Sequence, residues 1–116
     1  MKETIKKELA SHILDMIQDN VITDYNIEDW HHLCFNEDYY IIGYYQAEQW
    51  LKRHNLSAFK AINICQEYEK ENFGEIDIYD NAEVTVNMLA YIYGYDLLNE
   101  LGAETIEDLK EKLETI

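Results

Sequence analysis

A chain of 116 residues with 24 acids against nine bases carries a formal charge of −15, yet 47% of it is apolar and 13% aromatic. That apolar share lies outside the disordered range, and a chain of this length can bury roughly two-thirds of its unfolded surface, so one folded domain over residues 1–116 is expected. The charge excludes unaided binding to nucleic acid or to an anionic membrane and favours basic partners.

With no proline and only four glycines, few points force a turn, and long helices are expected. The first spans about residues 3–19, with Ile5, Leu9, His12 or Ile13, and Met16 with Ile17 at helical spacing and Asp19 and Asn20 closing it. Asn26 can cap a short helix to about Phe35, packing Trp30, Leu33 and Cys34 inward and leaving His31 and His32 near the surface. The run YYIIGYY, residues 39–45, reads as a helix starting at Asn36 and continuing to His54, because a strand would put aromatics on both faces and then meet the helix-forming QAEQWLKRH without a turn. Its inward stripe is Tyr40, Gly43, Tyr44, Ala47, Trp50 and Leu51.

Asn55 can end that helix in a left-handed conformation, and Ser57 starts another to about Asn72, with Ala58, Ala61, Ile62, Cys65 and Tyr68 inward and Gly74 as its terminal cap. EIDIY, residues 75–79, is an extended connection. Asp80 or Asn81 opens a helix to Gly102 whose stripe is Val84, Met88, Tyr91, Ile92, Tyr95 and Leu98, and Thr105 caps a last helix with Ile106, Leu109 and Leu113 inward. The expected fold is all-α, a compact bundle of five or six helices in which a central helix at about 37–54 packs against one at about 81–101. Gly43 and Gly94 share the pattern Tyr-x-x-Gly-Tyr, and a glycine inside a helix costs about 1 kcal/mol relative to alanine, so the two helices are expected to cross at these glycines.

Chemistry is sparsely signalled. In DWHHLCFNED, residues 29–38, His31 with Cys34 and Asp29 with His32 share helix faces, but the spacing matches no zinc pattern and no second pair completes it. Cys34 or Cys65 with His54 lacks any sign of an activated thiolate, and carboxylates are too numerous to single out an acid–base pair. No glycine-rich phosphate loop occurs. The expectation is a non-enzymatic protein without metal or cofactor. No stretch reaches the ~18 apolar residues of a membrane helix, and MKETIKKELA lacks the apolar centre of a signal peptide, so a cytoplasmic protein with two reduced, buried cysteines is expected.

The layout of charge says more. No lysine or arginine occurs in residues 8–51 or in residues 71–109, while acids recur every few positions in both. Duplex DNA carries one charge per 1.7 Å, so ~20 carboxylates held on helices match roughly ten base pairs. The ten tyrosines add contact material, with Tyr25, Tyr39, Tyr45, Tyr79 and Tyr93 expected outside the core. The expected partner-binding residues are Asp24, Glu28, Asp29, Glu37, Asp38, Glu75, Asp77, Asp80 and Glu83, with Tyr39 and Tyr45, and Trp30 beside them, as anchors.

The stretch NEDYYIIGYYQAEQWLKRH followed by QEYEKENFGE resembles a family of small phage and prophage proteins of unknown function, over about residues 30–100. In size, acidity and helicity the chain is also similar to phage anti-restriction DNA mimics and to anti-CRISPR proteins, a likeness of composition that carries over no residue. The resemblance implies a host-cell inhibitor that binds a basic, nucleic-acid-binding defence protein, a restriction or CRISPR effector, without touching nucleic acid itself. An immunity or antitoxin-like module for one basic toxin is the alternative, and a self-associating homodimer face is a further use of the tyrosines.

Overall fold

The first helix, α1 (Glu3–Gln18), follows its apolar stripe: Ile5, Leu9, Ile13 and Met16 are buried, and Asn20 turns the chain away with φ +60°. The computed structural model describes residues 1–35, 40–41, 43–75 and 81–116. Among the described residues there are six α-helices and no strand: α1, α2 (Trp30–Phe35), α3 (Tyr44–Arg53), α4 (Ala58–Phe73), α5 (Ala82–Leu101) and α6 (Ile106–Glu114). A single 3-10 turn at Ile27–Asp29 leads into α2. None of these helices is long and apolar enough to cross a membrane.

Local signals fix most helix ends. The Ser57 hydroxyl accepts from the Lys60 amide at 3.1 Å, and the Thr105 hydroxyl accepts from the Asp108 amide at 3.1 Å, each satisfying a donor that the first helical turn leaves unpaired. The Asn81 side chain does the same for the Val84 amide at 2.9 Å. Asn55 takes φ +51° after α3 and Gly74 φ +73° after α4, the left-handed stops expected of them. Asn26 departs from expectation. Its side chain makes no cap and instead accepts from the Thr23 amide at 2.8 Å and donates to the Val21 carbonyl at 2.9 Å, which fastens the loop after α1 to itself.

The chain forms two compact units: Met1–Phe35 with Tyr93–Ile116, and Asn36–Ile92. In the first, α1, α2, α6 and the last turns of α5 enclose Leu9, Ile13, Trp30, Phe35, Leu97 and Leu109. His31 is buried here rather than near the surface, with its ring against those of Tyr95, Phe35 and His32. Gly94 lies within α5, and a Cβ there would overlap the ring of Phe35, so its missing side chain accommodates an aromatic ring from α2.

In the second unit α3, α4 and the first turns of α5 enclose Ala47, Trp50, Ala61, Cys65, Val86 and Leu89. The third helix starts at Tyr44, so the expected start at Asn36 and the glycine-to-glycine helix crossing are both corrected. Gly43 precedes the helix with φ +113° and ψ 155°, a region open almost only to glycine, and the chain at Tyr40 and Ile41 is not helical. Backbone groups outside a helix need other partners. Buried Asn87 supplies them, accepting from the Ile41 amide at 3.2 Å and donating to the Ile41 carbonyl at 3.3 Å and to the Glu83 carbonyl at 2.8 Å. The Trp50 indole then donates to the Tyr40 hydroxyl at 2.8 Å.

Stripe assignments on three helices shift with this packing, and Ala58, expected inward on α4, is exposed. Tyr44, expected inward, is 55% exposed. On α5 Val84 and Tyr95 face solvent, while Val86, Leu89, Ala90 and Leu97 fill the core. Apolar residues occur on almost every side of α5, including the unburied face of Val84, Met88, Tyr91 and Tyr95, so its apolar period carries little directional information.

Candidate functional site: an acidic loop bearing an exposed tyrosine

The loop between α1 and α2 is built to hold its shape. The Val21 and Ile22 amides both donate to the Met16 carbonyl, at 3.0 and 3.3 Å, and Ile22 and Ile27 anchor the loop in the core. Between these anchors, with Asn26 fastened as described, Tyr25 points fully into solvent at 102% relative exposure. A large apolar ring left wholly in water on a stapled loop gains nothing for folding, and rings of this kind supply contact area in protein interfaces.

Carboxylates neighbour that ring in the chain. Asp24, Glu28 and Asp29 flank it and are exposed. Asp24 Oδ1 accepts from the Ile106 amide at 2.9 Å, 82 residues away, and so fixes the loop to the start of α6. A carboxylate there also meets the positive end of the helix dipole. This bond brings together the two stretches that lack lysine and arginine, and adds exposed Glu104 and Glu107 to the set. Asp24 therefore has a structural task in addition to its charge.

Some of the acids are neutralised. Lys6 pairs with Glu100 at 2.5 Å, a contact that raises the lysine pKa, and Lys112 pairs with Asp108 at 3.1 Å while donating to the Leu101 carbonyl at 2.7 Å. Both pairs engage acids of the second lysine-free stretch.

The other expected site residues are elsewhere. Tyr45 is 70% exposed on α3, Glu75 is exposed after α4, and Glu83 is half-buried in the first turn of α5, all in the second unit. Glu37, Asp38, Tyr39, Asp77 and Asp80 lie outside the described residues, as does Tyr79. Tyr93 is half-buried rather than outside the core, and Trp30 is fully buried and cannot serve as a surface anchor. Sequence reasoning placed Tyr25 outside the core without making it an anchor. Its signal was the setting DYNIED, an aromatic ring among acids and turn formers.

Burial pushes the Cys34 and Cys65 thiols up to about 12, away from the thiolate a nucleophile or ligand needs. Cys65 donates to the Thr85 carbonyl at 3.6 Å, and the Cys34 carbonyl lies 2.9 Å from His12 Nε2. Among the described residues no three His, Cys, Asp or Glu side chains converge as a metal cage requires.

Comparison with protein-family models, with curated proteins and with solved structures yields no match.

Proposed function

We propose that this protein is a non-enzymatic inhibitor that binds a basic, nucleic-acid-binding host protein, a restriction or CRISPR effector, by presenting carboxylates where that protein expects phosphates. The observation that carries the reading is the 2.9 Å bond from Ile106 to Asp24, which ties two lysine-free stretches together one residue from a fully exposed Tyr25. Fixed carboxylates displace the counterions of a basic cleft as DNA does, and a central aromatic ring adds contact that does not depend on salt. The phage-like resemblance of residues 30–100 agrees with such a role.

The test is a pull-down from bacterial lysate with the intact chain at low and high salt. Captured proteins should be nucleic-acid-binding, should be released steeply by salt, and should be displaced by duplex DNA. Reversing Glu28, Asp29 and Glu107 to lysine should abolish capture, as should reversal at Asp77, Asp80 and Glu83 if both units contribute. Tyr25→Ala should weaken capture without changing its salt slope. Binding that is indifferent to salt, or that survives both sets of reversals, sinks the reading.

A further inference from the structure

The second unit offers a surface of different character. A groove of about 440 Å³ runs beside α3, floored by Leu51, Leu56 and Ile62 and edged by Tyr44, Glu48 and Lys52. All four basic residues of this unit, Lys52, Arg53, Lys60 and Lys70, sit on α3 and α4. The same two helices carry exposed rings, Tyr44, Tyr45, Phe59 and Phe73, of which Tyr44 lines the groove. In a chain of charge −15, these bases lessen the repulsion that a second negative body meets on this unit.

The order of residues along α3 says which body. Tyr44, Glu48 and Lys52 follow one another at four-residue intervals and so share one face of the helix. Neither Glu48 nor Lys52 is held in an ion pair among the described residues. When two copies of such a helix pair antiparallel about a two-fold axis at the level of residue 50, Glu48 of each copy faces Lys52 of the other. The same symmetry sets each Tyr44 beyond the partner's Lys52, at the end of α3, where Leu56 lines the groove. An isologous interface requires a patch complementary to itself, and this pattern has that property in both its charges and its apolar parts.

We infer that the α3 groove is a homodimer interface, in which two copies of this chain pair antiparallel through reciprocal Glu48–Lys52 contacts and exchange Tyr44 rings. One ten-residue helix and its groove lie at the small end of interface sizes, so the dimer is weak.

Sedimentation of the full chain at 150 mM salt reads this directly. The protein should sediment as a monomer at about 1 μM and as a dimer at about 1 mM. Glu48→Lys alone and Lys52→Glu alone each place like charges opposite one another and should weaken dimerisation by about tenfold or more, with the helical circular dichroism unchanged. The double exchange, E48K with K52E, restores the complementarity in mirror order and should restore the dimer. Tyr44→Ala should weaken it independently of charge. A monomer at about 1 mM overturns the inference, and so does a double exchange that stays folded yet monomeric.

Discussion

Tyr40-Ile41-Ile42-Gly43-Tyr44 and Tyr91-Ile92-Tyr93-Gly94-Tyr95 are nearly the same pentapeptide, and the fold uses them in opposite ways. In the second, the glycine continues α5 and receives a ring of Phe35 against its bare backbone. In the first, the glycine takes φ +113° and α3 begins only after it, with the preceding Ile41 held by an asparagine 46 residues away. The two glycines are needed for different reasons, one for space and the other for conformation. Local sequence fixed neither outcome; the neighbour that meets it did.

Removing the side chain that meets the first segment should have the largest effect. Asn87→Ala leaves the buried amide and carbonyl of Ile41 without partners and should cost about 3 kcal/mol in denaturant unfolding, because each unsatisfied group costs roughly 1–3 kcal/mol. At the second segment Gly94→Ala should cost about 2 kcal/mol by overpacking against Phe35. In a Phe35→Ala background the same change should be neutral or stabilising, since alanine is the better helix former by about 1 kcal/mol. Gly43→Ala should cost about 1–2 kcal/mol through backbone strain, and no partner replacement should relieve it. That contrast between a rescuable and an unrescuable glycine is the sharpest form of the comparison.

A separate effect, confined to high pH, concerns the thiols, one in each unit. Burial holds Cys34 and Cys65 at about 12 against an ordinary 9.0, so from pH 9 upward the unfolded chain releases protons that the native chain keeps. Stability present below pH 9 should therefore decline between pH 9 and 12, and the C34A/C65A double variant should flatten that part of the curve. Alkylation of either thiol at pH 8 should require unfolding.

Those elements were legible in the sequence whose ends are set within a few residues. Ser57, Thr105, Asn55 and Gly74 act on amides or carbonyls of the adjacent helix turn, and the apolar stripes of α1 and α6 each face one core. The start of α3 was not legible, because its determinant is Asn87. The face of α5 was obscured because almost every side of it carries apolar residues, and His31 was misplaced because three aromatic rings, not its own polarity, decide its position. For the candidate site, composition indicated the carboxylates, but the joining of the two lysine-free stretches beside Tyr25 depends on a bond between residues 24 and 106 that no periodicity announces.

The two tryptophans give the molecule an optical label in each half. Trp30 is enclosed in the first unit with no acceptor for its indole among the described residues, whereas Trp50 in the second donates to a phenol. Emission from the two rings should differ in wavelength, so single Trp→Phe variants let fluorescence follow each half separately as a partner is added, without any dye attached.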